Sequence, residues 1–571
     1  MRILTRFLIL VTVLFLGSRM VAQVHRKVPR GHEEFLSGGA TVPDLEKRAP
    51  GPKSPIRVVR TGPNTGTNQL VVGPNVRVND PQQAFPNGLL GRSETTVAAS
   101  GDGEQVLVGF NDAQGFCGPP FGAACTPENP PGLSGFGFSV DGGLTFTDGG
   151  APDPKLFNNV FTRGDPWMDR GGLDNKTFFY ANLSVDATSG ADLGASVHRG
   201  HFKSGGFAFQ DVRVLGPANP NDFFDKEAIT AAKDGSGLVV VSLTNFKQVC
   251  PAAASGFGEI TIFHSSDGGN TYQGPVVVGP DLTNPGCKTG VLQQSSAPAT
   301  GPNGEVFVAW QRGPTFTATG TSTNADIVVA RSLDGGFTFG PPVRVATINS
   351  MRQDPPVGYN RGRLNDHPRT FVATSGPFRG RAFVTFYSAV SPVGAAPVVP
   401  CPAGTAAGTT CIGQNLVSSQ AFVSFSDDQG QTWSTPVAVA PVVPPTGVKR
   451  WWPVVTVAGD GEVNVVYYES QETPTASNPT CNVNLGGGVR RVGPANSLVD
   501  TFVVQSLDGG NTFGAPVRVT TATSNWCTTV SNIRPNFGDY IGSSIVGETI
   551  QATWADGRNG VPDTFFAPIS F

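Results

Sequence analysis

Seven short clusters of reactive side chains recur along the chain. They are Arg92 with Glu94; Asp165 with Trp167; Asp225, Lys226 and Glu227; Ser295 with Ser296; Asp366, His367 and Arg369; Arg450, Trp451 and Trp452; and Asp539 with Tyr540. Carboxylates offer general acid–base chemistry, and guanidinium groups pair with anions in a forked geometry. Indole faces stack on sugar rings or grip apolar partners, which singles out Trp167, Trp451 and Trp452 as binding residues. Asp165, Asp225, Asp366 and Asp539 occupy corresponding places in their clusters. Carboxylates brought to one point repel unless neutralised, so a structural Ca²⁺ is one expectation for these four; no other cofactor is required. The competing expectation is that they cap tight turns while the arginines neutralise them as ion pairs. Zinc chemistry is not expected, because His198, His201, His264 and His367 lack metal-binding spacing. No nucleophile elbow or phosphate loop stands out.

Whether these clusters meet depends on the elements that carry them. Each opens a pattern of strand, Gly-centred turn and second strand, as in TTVAASGDGEQVLVGF (95–110), EAITAAKDGSGLVVVSL (227–243), SAPATGPNGEVFVAW (296–310) and PVVTVAGDGEVNVVYY (453–468). Three worn versions, at 167–183, 370–387 and 540–554, bring the strand pairs to seven. Downstream lies a second repeat: SVDGGLTF from Ser139, SSDGGNTY from Ser265, SLDGGFTF from Ser332, SDDQGQTW from Ser426 and SLDGGNTF from Ser506. FKSGGFAF (202–209) is a sixth copy in which Ser204 replaces the aspartate. The aspartate can accept the amides of its own turn, the glycines tolerate positive φ, and the last aromatic can pack between sheets. The turn therefore reads as a fastener. A calcium loop would need more carboxylates at fixed places.

Period-two alternation bounded by Gly, Asp and Asn predicts meandering antiparallel strands, four to a unit. Units of this kind repeated at 45 residues or more predict an all-β, seven-bladed β-propeller. The last unit, ending in DTFFAPISF (563–571), lacks a fourth strand. NVRVND (75–80) resembles the fourth strands elsewhere and is predicted to close that blade, leaving no open edge. In this arrangement the seven clusters converge at one mouth of the central channel.

Composition agrees with a large soluble all-β protein. The 571 residues carry a formal net charge of −3 and include 73 Gly and 48 Pro, without a short period. No basic excess points to nucleic acid. Arg2 and Arg6 precede the apolar run Phe7 to Gly17, with small residues at Val21-Ala22, so residues 1–23 read as an export signal. Residues 24–68 are a polar, Pro- and Gly-rich leader, and 69–571 the propeller. A secreted or periplasmic monomer without a membrane span after signal removal is expected.

The eight cysteines form no CxxC pair and suit an oxidising compartment. Neighbour pairing in the repeat suggests Cys117 with Cys125, Cys250 with Cys287, Cys401 with Cys411, and Cys481 with Cys527. These bridges would stiffen the face bearing the long insertions 111–134, 388–417 and 469–498. Stiffened loops on a rigid scaffold either carry binding or resist proteolysis.

The Ser-x-Asp-x-Gly-x-Thr-aromatic turns, with strand ends such as VLVGFND (106–112) and IQATWADGR (550–558), resemble the Asp-box repeat proteins, whose best-known members are the sialidases. The resemblance covers about 75–571. It implies a propeller acting on extracellular glycans or glycoproteins. For a sialidase-like glycoside hydrolase it implies an arginine triad of Arg92, Arg369 and Arg450, a Tyr540 nucleophile with Glu227 as its partner, and Asp112 as acid. The family's Arg-Ile-Pro is replaced here by Arg92-Ser93-Glu94, and the family has six blades rather than seven. A non-catalytic glycan- or protein-binding propeller is the alternative.

Overall fold

A computed structural model describes residues 70–81, 89–116, 131–248, 256–284, 288–440, 442–472, 481–493 and 496–571. The expected export signal, the whole of the leader, and Cys117, Cys125, Cys250 and Cys287 lie outside the described residues. Among the described residues the regular secondary structure is nearly all strand, with two short 3₁₀ turns, Ala113–Gly115 and Trp526–Thr528. Among the described residues no helix is long and apolar enough to cross a membrane.

Seven antiparallel sheets have four or more strands, and a small eighth has three. The first sheet shows the common pattern: Arg92–Ala99, Val106–Asp112, Ser134–Ser139 and Thr147–Asp148 pair in sequence order. The strands corresponding to Arg92–Ala99 in the later sheets are Trp167–Gly171, Phe223–Ala231, Gly290–Thr300, Arg369–Val372, Val448–Val457 and Gly542–Val546. These leading strands pack each against the next, and the last returns to the first. Each gap between neighbouring sheets has its own apolar filling, such as Phe179, Val197 and Leu243 between the second and third. Burial on both faces explains why central strands such as VLVGFND are buried throughout.

The chain's beginning supplies the outer strand of the last sheet. Val76 and Arg77 pair with Phe566 and Phe565, while Val71 and Val72 pair with Ser570 and Ile569. Asn79 exchanges two bonds with Asp563 and Thr564, at 2.9 and 2.8 Å.

The recurring turns share one hydrogen-bond pattern. In the second, Ser265 Oγ donates to Asp267 Oδ1 at 2.8 Å and accepts from Gly269 N at 2.9 Å, while Thr271 N and Oγ1 donate to the Asp267 carboxylate at 2.9 and 2.7 Å. The turns at Asp141, Asp334, Asp428 and Asp508 repeat it. The closing aromatics reach the neighbouring gap, with Phe146 5.2 Å from Phe566. In the worn copy Lys203 pairs with Gly206, and a cluster of Phe136, Phe178, Phe202 and Phe207 takes over the fastening.

Burial opposes ionisation of Asp267 and Asp334, but the Thr and Ser bonds outweigh it and hold both near pKa 2. Asp428 is held near 2 chiefly by the Thr432 hydroxyl and amide. A depressed folded-state pKa adds stability above the unfolded value that is lost as pH falls through the folded one. The fasteners are therefore expected to release between about pH 4 and pH 2. An Asp267→Ala, Asp428→Ala double variant should lose about 2–4 kcal/mol at pH 7 and lose less than the parent on acidification through that window, the remaining loss coming from Asp141, Asp334 and Asp508, read by urea midpoints across pH.

At the end of the sheets opposite these turns, a second system holds the long connections. Lys449, buried, pairs with Glu472 at 2.6 Å and Asp354 at 3.4 Å. Asp354 in turn accepts Asn415 N and Val417 N, and Glu472 accepts Val357 N and Ser497 Oγ. The insertions 390–418 and 472–497 and the connection 350–367 are thus pinned to one ammonium. The small sheet of Thr410–Ile412, Cys481–Gly486 and Val489–Gly493 lies over that connection. Bridges Cys401–Cys411 and Cys481–Cys527 tie the same face. Two disulfides fit an extracellular or periplasmic protein.

Candidate functional site

The leading strands do not run straight into the channel mouth. Register shifts fall between Ser93 and Thr96, Asp225 and Ala228, Gln294 and Ala297, and Trp451 and Val454. At each, one residue has positive φ: Glu94 (54°), Lys226 (54°), Ser295 (63°) and Trp452 (49°). Asp165 (56°) takes the same conformation just before its strand. Left-handed backbone is costly for these residue types and persists only where surroundings enforce it. Such a bulge re-aims a side chain. Here it brings charge to one point.

Lys226 Nζ lies 3.0 Å from Glu94 Oε1, 3.1 Å from Asp165 Oδ2 and 2.8 Å from Asp539 Oδ2, all buried. Asn111 holds the arrangement, donating to Glu94 Oε2 at 2.6 Å and accepting Asp165 N at 3.0 Å. Asp539 Oδ1 accepts from Tyr359 at 3.0 Å and from Arg361. Burial works against the Lys226 ammonium, but Asp165, Asp539 and Glu94 outweigh it and keep its pKa above the ordinary lysine value. Burial also opposes the Asp539 anion, yet Arg361 and Lys226 hold that carboxyl far below its usual range. Asp165 is pushed the other way, by burial and then by Glu94.

Beside this knot stands an aromatic and cationic stack. Arg369 lies 3.8 Å over the Trp167 ring and 4.9 Å over that of Tyr540. His367 contacts both rings. Burial lowers Arg369 to about 9, so it remains cationic at neutral pH. The Tyr540 hydroxyl donates to Pro166 O at 2.6 Å, and burial raises its pKa well above that of a free phenol. Glu227 is 1% exposed; no hydrogen-bond partner reaches either carboxylate oxygen, and burial raises its pKa well above the carboxylate range.

The residues singled out from sequence therefore divide. Glu227, Tyr540, Trp167, Arg369, Asp165 and Asp539 gather around Lys226. Arg92 and Asp112 pair with one another at 3.0 Å, with Gln114 Oε1 2.6 Å from the same guanidinium. Burial raises Asp112 to about 6, against the pull of Arg92. Arg450 is engaged elsewhere by Glu469 (2.7 Å), Gln420 (3.1 Å) and Val442 O (2.8 Å). The three arginines of the expected triad have separate partners. Asp225 accepts from Gln294 at 2.6 Å, and Asp366 from Ser350 and Met351 N. The four aspartates expected around a cation thus do not share one centre. Where Asp165 and Asp539 do converge, Lys226 supplies the positive charge, and no group of three or more His, Cys, Asp or Glu among the described residues is arranged for a metal. Trp451 and Trp452, expected to face a ligand, are 0% and 2% exposed and pack with Tyr468 and Trp526, because the bulge at Trp452 turns both into the core. Trp167 alone of the three indoles is partly exposed.

Sequence reading passed over the connection 350–365. Its Tyr359 donates to Gly538 O, Asn360 and Asn536 exchange amide bonds, and Arg361 reaches Asp539. Arg361 Nη1 and Arg363 Nη2 are buried without a hydrogen-bond partner. Burial, then Arg361 and Arg352, lower the pKa of Arg363. The signal was present as length: this polar, arginine-bearing connection precedes Asp366 and is longer than those leading into Phe223 and Val448.

Chemically, the arrangement joins a carboxyl whose pKa burial raises (Glu227), a carboxyl whose pKa Arg361 and Lys226 lower against burial (Asp539), and guanidinium donors with spare N–H groups. Environments that push two carboxyls apart in pKa define an acid and a base.

No family model and no curated protein matches the chain. Among solved structures it is similar to a protein of unknown function from Dyadobacter fermentans, with TM-score 0.40 and 11% identity over 88% of this chain and 99% of that one. It is also similar to the α-L-arabinanase of Penicillium chrysogenum, with TM-score 0.38 and 14% identity over 74% and 97%. A third likeness is to Trypanosoma rangeli sialidase, with TM-score 0.36 and 12% identity over 76% and 58%.

Proposed function

We propose that this chain is an exported, monomeric, seven-bladed Asp-box β-propeller that acts on extracellular glycans as a sialidase-like glycoside hydrolase. The ring of leading strands and the repeated Ser-Asp-Thr turn bonds support the architecture. The observation that carries the activity is Glu227, a buried carboxyl whose oxygens have no hydrogen-bond partner and whose pKa burial raises well above the carboxylate range, next in the chain to the Lys226 that pairs with Asp539. In this reading Glu227 delivers the proton to the leaving oxygen. Asp539 stabilises positive charge developing on the sugar, and Arg369, Arg361 and Arg363 face an acidic substituent. Tyr540 serves as nucleophile once its hydroxyl leaves Pro166 O: its oxygen bonds the anomeric carbon as the leaving oxygen departs with the Glu227 proton, its own proton passes to the Asp539 carboxylate, and water then displaces the tyrosine oxygen to release the sugar. Asp112, near pKa 6, is a second proton-holding group paired to Arg92. These groups are buried or nearly so, and the connection 350–367 must yield to substrate.

A panel of fluorogenic sialosides and arabinosides tests this. Glu227→Gln should lower kcat by about 10²–10⁴-fold without shifting the melting temperature. Turnover surviving Tyr540→Phe would reject the nucleophile assignment. The engagement of Arg92, Asp112 and Tyr540 with protein partners favours a second reading, a non-catalytic glycan-binding module. A blank panel together with saturable glycan binding lost in Trp167→Ala would establish that instead.

A further inference from the structure

Most of the connection 350–365 is bolted down. Val357 N donates to Glu472 at 2.6 Å, Asn360 and Asn536 exchange amide bonds, and Leu364 N donates to Arg352 O at 3.2 Å while its side chain sits in the core. Between Asn360 and Leu364 the chain comes to the surface. Arg361 is half-buried and Gly362 exposed, and a Cβ on Gly362 would meet nothing within 4 Å. Solvent therefore meets the edge of the charged knot at the Arg361 guanidinium. Arg361 Nη2 donates to Asp539 Oδ1, the oxygen that also lies 3.0 Å from Tyr359 Oη, whereas Asp539 Oδ2 takes Lys226 at 2.8 Å. Withdrawal of Arg361 would thus leave Asp539 with Tyr359 and Lys226, but would leave the guanidinium in need of another anion. A neutral ligand entering here supplies none and strands a charge, whereas an oxyanion replaces one forked partner by its like.

We infer that Asp539 is a built-in competitor for Arg361, and that the site opens by exchange, the oxyanion of an acidic sugar taking Arg361 from Asp539. This rests on the glycan-acting reading above and adds two things to it: the ligand class, a sugar bearing a carboxylate or a sulfate ester, and the contact that keeps the site shut without one. A ligand shifts such an equilibrium only through contacts made in one state and not the other. Here that contact is the pairing with Arg361. Arg363, which donates to Asn365 and lies near enough to Arg361 for the two charges to repel, adds positive charge behind it. The exchange also serves the chemistry. Burial raises the Asp539 pKa and Arg361 is foremost among the groups that lower it, so its departure makes Asp539 the stronger base for the Tyr540 proton.

The test is calorimetric titration of the full chain with N-acetylneuraminic acid, glucuronic acid, galactose 6-sulfate and galactose, with melting curves for each variant. The acidic sugars are expected to bind at least about tenfold tighter than galactose. Arg361→Gln should abolish that preference, whereas Asp539→Asn, which removes the competing charge and keeps the side chain's shape, should tighten the acidic sugars at least about threefold. Changes of opposite sign cannot come from a merely structural loss. A crystal of the complex should show Arg361 on the sugar's oxyanion. Tighter binding of the two carboxylates assigns a uronic or sialic acid, and tighter binding of galactose 6-sulfate a sulfate ester. No saturable binding, galactose bound as tightly as the acidic sugars, or affinity unchanged in Asp539→Asn would overturn the exchange. Hydrolysis without the acidic preference would sink this inference and leave the enzyme reading standing; the preference without hydrolysis would do the reverse.

Discussion

Lys226→Met is expected to lower the folding free energy by about 3–5 kcal/mol at pH 7, because one buried ammonium serves three carboxylates and its loss strands them. Glu94, Asp165 and Asp539 all lie within 3.1 Å of Nζ. Methionine keeps the length and the packing, so the deficit is electrostatic rather than a cavity. The folded-state pKa of Lys226 is raised, so its contribution is complete below the unfolded lysine value and declines only as pH climbs through the folded one. At neutral pH the full effect should be seen in the denaturant midpoint. Adding Asp165→Asn to Lys226→Met should recover part of the loss, since Asp165 Oδ2 lies 3.1 Å from Nζ and the amide removes one of the carboxyls left facing one another. An unchanged midpoint in the single variant would mean that the carboxylates are neutralised by something else.

Removal of the chain through Asp80 is the second large effect. It strips the outer edge from Asp563–Ser570 and exposes Phe566, which packs with Val78, Val97 and Val108. Leu70 and Val78 are 7% and 2% exposed, and losing their burial costs about 1.5–3 kcal/mol each. The loss also includes the bonds of Asn75 to Val519 O and Thr521 N, which fasten this segment to the sixth sheet. The naked strand is also a template for pairing with other chains, so the truncated protein should aggregate on warming. A synthetic peptide of residues 70–80 should restore the melting temperature in trans. Melting and solubility equal to those of the full chain would show that the ring does not need this strand.

Much of this arrangement was legible from local pattern. The turns at Ser139, Ser265, Ser332, Ser426 and Ser506 are complete within eight residues, so donor and acceptor of each fastening bond stand side by side in the chain. NVRVND carried the alternation of an outer strand, and the last strand pair lacked one. Trp451 and Trp452 misled for a specific reason: a bulge of one residue reverses which face a side chain takes, and nothing in the alternation marks it. The arginines at 352, 361 and 363 were missed because they sit in a connection without periodicity, where only length gave a sign.

By itself the sequence determined the strands, the fasteners and the segment that completes the last sheet, since each follows from the dihedral preferences and side-chain bonds of a few adjacent residues. Tertiary structure alone decided which charges meet. Glu94, Asp165, Lys226 and Asp539 come from four different sheets, and whether they attract, repel or hold a proton depends on separations of an ångström and on the exclusion of water. Coulombic energy at such distances is set by local dielectric and geometry, neither of which is written in the order of residues.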